Sequence, residues 1–154
     1  MINVLPEKHP RVFYFCYSQI NRVLVCYNII MNTKERGDNA VGQAINFFMN
    51  HGYEVCLPIG DKRDFDLVVE KENNLQKVQV KYAGLYKSSG VCKVGLRITG
   101  GNQSFNYSKK YKKDSFDLLF IYTSKGEKYL LPWNKITFRN ELSIEAEKYR
   151  MYRH

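Results

Sequence analysis

Asp64-Phe65-Asp66-Leu67-Val68-Val69 and Lys77-Val78-Gln79-Val80-Lys81 are the two stretches that decide the fold of this 154-residue chain. Each is an apolar run of strand length, rich in β-branched residues. The polar triplet Glu72-Asn73-Asn74 between them reads as a turn. Side chains two apart on a strand share a face, so Gln79 and Lys81 stand together, about 7 Å apart at Cα. If the strands pair as a hairpin, Asp66 lies beside them. An acid, a second oxygen ligand and a lysine on one face can hold a hard metal ion and activate a water at a phosphodiester. The same spacing also fits a turn aspartate and a solvated lysine at a strand end.

Outward from this pair, residues 33–51 carry Val41, Ala44, Ile45 and Phe48 at helical spacing, with Thr33 as a cap and Gly52 as the stop. Strands are predicted at 53–57, 66–69, 75–82 and 91–98. Turns fall at Gly60-Asp61-Lys62, Ser88-Ser89-Gly90 and Gly100-Gly101-Asn102. Residues 117–122 and 128–131 flank Ser124-Lys125-Gly126 and predict a further hairpin. A last helix, rich in Glu and Lys, is expected from Arg139 or Asn140 to Met151. The fold class is α/β, a central mixed β-sheet flanked by helices. Residues 1–31 show neither helical periodicity nor clear alternation. They read as an N-terminal extension, or as an extra hairpin, and residues 32–154 as the functional domain. Limited proteolysis distinguishes the two, because an extension is cleaved before the core.

The chain carries 24 Lys+Arg against 15 Asp+Glu, a formal net charge of +9, and its pI is about 9.4. That balance favours a polyanionic partner, nucleic acid first, although a basic protein without such a partner has the same charge. Cys16, Cys26, Cys56 and Cys92 form no CxxC, and His9, His51 and His154 are the only histidines. Neither a structural zinc site nor a disulfide framework follows, and free thiols fit a reducing compartment. The apolar stretch 11–30 is interrupted by Gln19, Asn21, Arg22 and Asn28, with no 18-residue apolar run and no cleavage site after it. No membrane span and no signal peptide are expected. The expected location is the cytoplasm or an organellar stroma or matrix.

At these residues the chain resembles the PD-(D/E)XK nuclease superfamily, and more narrowly its group I intron-encoded homing endonucleases, in which the second acid is Gln. The resemblance covers roughly residues 34–132. It runs through Arg36-Gly37-Asp38-Asn39-Ala40-Val41-Gly42-Gln43, Gly52-Tyr53-Glu54-Val55, Leu57-Pro58, Arg63-Asp64-Phe65-Asp66 and Val78-Gln79-Val80-Lys81. Phe116-Asp117-Leu118-Leu119 and Tyr129-Leu130-Leu131-Pro132 look like the family's closing strands. The resemblance implies a restriction-endonuclease-like core, shared with archaeal Holliday junction resolvases, and a Mg²⁺ or Mn²⁺ ion. Asp66, the Gln79 side-chain carbonyl and the Val80 backbone carbonyl become metal ligands. Lys81 positions or deprotonates the water and stabilises charge on the phosphate. Gln43 stands where many relatives have a Glu facing the metal centre, and Phe65 stands where the family's proline would be. Two Gln replacements leave Asp66 as the one assured carboxylate. The implied activity is site-specific cleavage of double-stranded DNA by a homo-oligomer, a dimer or tetramer. A junction-resolving nuclease and a non-cleaving DNA binder are the alternatives.

DNA-contacting candidates come from the basic segments. Residues 106–113 interleave Lys109, Lys110, Lys112 and Lys113 with Tyr107 and Tyr111, suited to phosphate contacts. An ordinary solvated loop or short helix is the bland reading of the same segment. Lys87, Lys93 and Arg97 mark a hairpin that could enter a groove, with Lys93, Gly95 and Arg97 on one strand face and Arg97 as the base-contacting residue. Arg63 joins this set. Lys148, Arg150, Arg153 and His154 at the C-terminus contact backbone or solvate a helix end.

Overall fold

The computed structural model describes residues 31–60, 63–101, 106–137 and 140–154. The N-terminal segment 1–30, part of the turn at Gly60-Asp61-Lys62, and the Asn102 and Arg139 positions lie outside the described residues. Met31–His154 form one compact unit.

Helix α1 spans Thr33–Asn50. Its cap is Asn32, one residue earlier than Thr33. The Asn32 side chain accepts the Glu35 N–H at 3.0 Å, and the Glu35 carboxylate accepts the Asn32 N–H at 2.7 Å. This reciprocal pair satisfies two of the helix's free donors. Gly52, at φ +74, follows the C-cap His51 and closes the helix as expected.

The strands are β1 (Glu54–Cys56), β2 (Leu67–Lys71), β3 (Asn74–Tyr86), β4 (Val91–Gly95), β5 (Arg97–Gly101), β6 (Asn106–Lys110), β7 (Leu118–Thr123), β8 (Lys128–Pro132) and β9 (Glu141–Ser143). Seven of them form one mixed sheet. Its path is β1-β2-β3-β4-β9, and β7 lies parallel to β3 and antiparallel to β8. β5 and β6 form a separate two-stranded ribbon. Among the described residues α1 is the one α-helix. Two short 3-10 helices, Trp133–Lys135 and Glu147–Tyr152, complete the elements.

The expected C-terminal helix is not there. Residues 141–144 alternate instead, with Leu142 and Ile144 buried and Glu141 and Ser143 exposed. β9 pairs antiparallel with β4. The Glu- and Lys-rich composition favours helix locally, but an open sheet edge offers hydrogen bonds and a buried face for two aliphatic side chains. The expected strand at 91–98 also divides. Leu96 is fully buried, its N–H donating to the Asn140 carbonyl at 2.8 Å, and the chain turns there from β4 into β5.

The β2–β3 turn consists of Glu72 and Asn73, at φ +54 and +62. Two positive φ values match the turn that follows a strand pair's right-handed twist. Asn accepts that region; Glu does so at a cost of about 1–2 kcal/mol. Glu72→Asn is therefore expected to raise stability by up to about 1 kcal/mol. An unchanged or lowered urea midpoint would contradict it.

The sheet separates two cores. On one face, α1 buries Ala40, Ala44, Phe47 and Phe48 against Leu67, Val69, Val78, Val80 and Phe120. On the other, Ala83, Leu119 and Ile121 pack with Tyr111, Phe116, Trp133, Leu142 and Tyr149. β3 runs through the middle, between β2 and β7. Its odd-numbered Gln79, Lys81 and Ala83 face away from α1.

Candidate active site

The hairpin register sets the site. Leu67 is opposite Val78, so Asp66, one step beyond, falls across from Gln79, and its N–H donates to the Val78 carbonyl at 2.9 Å. The Asp66 Oδ2 accepts two bonds, from Gln79 Nε2 at 2.5 Å and from the Val80 N–H at 2.7 Å. Gln79 Nε2 also donates to the Val80 carbonyl at 3.0 Å. Both oxygens around this amide are pure acceptors, which fixes its orientation with nitrogen inward. The amide nitrogen thus bridges a carboxylate and a carbonyl, as a cation would. A half-turn about the last side-chain bond replaces that nitrogen with the Gln79 carbonyl oxygen. Three hard oxygens would then converge, a donor set suited to Mg²⁺ or Mn²⁺.

Lys81, two residues on, is half-buried, and its Nζ stands over the Tyr111 ring, 5.3 Å from the centroid. Burial raises the Asp66 carboxyl above its ordinary value, against the Val80 N–H, the Lys81 charge and the Gln79 amide. Burial likewise lowers the Lys81 amine, against the charge of Asp66. Both shifts have one origin, the removal of an acid–lysine pair from water. Asp64 acts beside this pair. Its carboxylate accepts the Ser115 hydroxyl at 2.9 Å and meets Lys109 Nζ at 3.4 Å. Ser115 Oγ in turn accepts the Lys112 N–H at 3.0 Å. The segment after β6 is thereby tied to the strand entrance that carries Asp66.

The sequence model of the PD-(D/E)XK endonuclease family matches residues 31–153. This chain belongs to that family. Among solved structures, the bacterial homing endonuclease I-Ssp6803I is similar, with 30% identity and a TM-score of 0.69, over 80% of this chain and 89% of that one. No curated protein matches the chain. PD-(D/E)XK nucleases generally use divalent metal ions, and the fold is the mixed sheet with a helix that the family shares.

In this PD-(D/E)XK endonuclease the other predicted site residues are scattered. Gln43 is half-buried on α1, on the stripe of Ala40, Ala44 and Phe47, and no hydrogen bond joins it to Asp66, Gln79 or Lys81. Arg97 and Lys110 are exposed and directly opposite each other on the β5–β6 ribbon. Lys109 turns to Asp64. The candidate DNA-contacting segment 106–113, for which a loop or short helix is the bland reading, is in part the strand β6; the side chain of Tyr107 lies outside the described residues. Lys93 does not share a face with Arg97, because the two lie on different sheets. It pairs with Glu141 at 3.2 Å and covers the Tyr86 ring at 4.4 Å. Arg63, Lys87, Lys112 and Lys113 are exposed. At the C-terminus there is no α-helix end to solvate: Arg153 pairs with Glu127 at 3.0 Å, Arg150 with Glu147 at 3.4 Å, and His154 packs against Phe47. Tyr111 and Asp64 are the residues that the sequence reading left out of the site. Tyr111 stood in the quoted basic segment, but only the fold brings it beneath Lys81.

One stability prediction follows. A native carboxyl that holds its proton more tightly than the unfolded one loses stability as pH rises from 3.8 through the raised native value. Asp66→Asn keeps an acceptor for Gln79 and Val80 and removes the half-buried charge. The metal-free variant is expected to be at least as stable as wild type at neutral pH, with the advantage disappearing below pH 3.8. A melting temperature clearly lower than wild type in EDTA at pH 7.5 would contradict this.

Proposed function

We propose that the protein is a Mg²⁺- or Mn²⁺-dependent DNA endonuclease, of the site-specific homing type encoded in group I introns, acting as a homo-oligomer on double-stranded DNA. The observation that carries this reading is the convergence of Asp66, Gln79 and the Val80 carbonyl, with Lys81 on the same strand face. A divalent ion held by those three oxygens would supply charge neutralisation at the phosphate and a more acidic water. Asp66 and the Val80 carbonyl form the fixed part of the cradle. Gln79 turns its amide to complete it. Lys81 aims an ammonium at the charge that develops on the scissile phosphate, where a desolvated charge acts most strongly. The Tyr111 ring, backed by Phe116 and Trp133, covers one side of that ammonium. One carboxylate gives the cradle a single negative charge, so an ion held there would draw further negative charge from a DNA phosphate.

The ribbon supports a DNA partner. Like charges directly opposite on an antiparallel pair repel, and Arg97 faces Lys110 in that way. A phosphate relieves the repulsion, and a two-stranded ribbon fits the major groove. Arg97→Ala with Lys110→Ala is expected to weaken DNA binding and to reduce the slope of log affinity against log salt by about 2. An unchanged slope places the DNA elsewhere. Cys56 and Cys92 are free thiols, which supports a reducing compartment, cytoplasmic or organellar. No described helix is long and apolar enough to cross a membrane. The family match begins at residue 31, so it leaves residues 1–30 of the proposed extension outside it.

The test is incubation with Mg²⁺ and total host DNA, with Lys81→Ala as control, and sequencing of new ends. A few recurrent, Lys81-dependent sites support a homing-type nuclease. Cleavage of four-way junctions alone supports the resolvase-like reading. Binding without any Lys81-dependent end supports a DNA-binding descendant that no longer cuts.

A further inference from the structure

Tyr111 immediately follows Lys110, the last residue of the ribbon strand β6. It is 5% exposed, and its ring is gripped edge-on by two aromatic neighbours. The centroid of Phe116 is 5.0 Å away at 82°, and that of Trp133 is 6.0 Å away at 84°. Phe116 and Trp133 contact each other at 4.5 Å. The backbone beside Tyr111 is equally constrained. Trp133 Nε1 donates to the Lys112 carbonyl at 3.0 Å, and the Lys112 N–H is held through Ser115 to Asp64. A ring fixed from this many sides presents one defined face, and the Lys81 Nζ stands 5.3 Å from its centroid.

We propose that Tyr111 is a positioning residue for the cleavage reaction: its ring face seats the Lys81 ammonium and holds it beside Asp66. The proposal rests on the reading of Lys81 as the lysine of a nuclease site. A flexible lysine has four rotatable carbons, and the negative face of an aromatic ring restrains its charged end without withdrawing a donor from it. All three N–H groups stay free for water and phosphate, which a salt bridge would not permit. Burial, reinforced by the charges of Asp66 and Asp64, keeps the phenol protonated far above its ordinary value, so the ring acts as a neutral π surface.

The decisive comparison is of Tyr111→Phe with pentafluorophenylalanine at position 111, which keeps the ring's shape and reverses its face charge. Tyr111→Phe should cleave within about twofold of wild type. The fluorinated ring should lower the single-turnover rate about tenfold, a loss that corresponds to a cation–π contact of ordinary strength. DNA affinity should match that of Tyr111→Phe, and the melting temperature should lie about 2–4 °C lower, by the contact that is lost. Equal cleavage rates for the two rings would overturn the proposal. A second readout needs no cleavage: a thermal double-mutant cycle of Lys81→Met and Tyr111→Leu. Coupling of about 2–4 °C is expected, and additivity would overturn the contact. Where Tyr111→Leu fails to fold, the fluorinated ring completes the cycle. Coupling in a protein that cuts no DNA would uphold the contact and sink only the nuclease reading.

Discussion

Lys81→Ala is expected to lower single-turnover cleavage by about 100- to 1,000-fold or more while DNA affinity stays within a few-fold of wild type. The magnitude is that of losing one preorganised charge at a developing anion in a desolvated site. Two observations put Lys81 in that class. It is half-buried with burial lowering its amine, so it is not an ordinary solvated strand-end lysine. Its opposing charge is Asp66, whose carboxylate is already engaged by Gln79 and the Val80 N–H. Binding is spared because the proposed ground-state DNA contacts are the exposed Arg97 and Lys110, not Lys81. Asp66→Ala should match this loss of cleavage and bind DNA equally well or better without metal, since a negative charge near phosphate is gone. Single-turnover assays at saturating protein and salt titrations of binding check both. Normal cleavage by Lys81→Ala ends the assignment.

Gln79→Glu carries the second large effect, and its sign depends on metal. In wild type the Gln79 amide donates to Asp66 Oδ2 and to the Val80 carbonyl. Glutamate at pH 7 can donate to neither. The variant loses a hydrogen bond to a buried carboxylate and gains a like charge opposite it. A destabilisation of about 2–4 kcal/mol in EDTA is expected. Mg²⁺ or Mn²⁺ should restore most of it, giving a metal-induced rise in melting temperature well beyond that of wild type. Lowering the pH toward the carboxylate range should do the same without metal, because one shared proton relieves the pair. Isothermal titration with Mg²⁺ and melting curves from pH 4.5 to 8 measure these changes. Equal stability of both proteins in EDTA at pH 7.5 would mean that Gln79 does not occupy the cation's place.

The hairpin that carries Asp66 and Gln79 was readable because its signals are local: two β-branched runs, a polar turn and period-two spacing. The partnership of β3 with β7 was not, since strand pairing across a long excursion leaves no periodic trace. The C-terminal segment misleads for a related reason. Its Glu and Lys residues speak for a solvated helix, and only the open edge beside β4 makes strand the better state for Leu142 and Ile144. The ribbon's separation from the main sheet hinges on one buried residue, Leu96, that looks like any other strand leucine. Tyr111 shows how the site itself exceeds the sequence. A tyrosine among lysines reads as a DNA contact, and its place under Lys81 comes from Trp133, Ser115 and Asp64, of which only Ser115 is near it in the sequence.

The connectivity also implies an order of assembly. Asp66 and Gln79 are 13 residues apart and share a two-residue turn, so their contact closes on the microsecond timescale of hairpins. Lys77 and Asp117, which anchor β3 to β7 at the start of their parallel pairing, are 40 residues apart. That step needs a larger loop to close, and non-local pairings come later and more slowly. The acid and amide therefore meet early in folding. The aromatic seat of the lysine arrives only when the chain has returned to the sheet, so a partly folded chain holds the cradle before it holds the lysine in place.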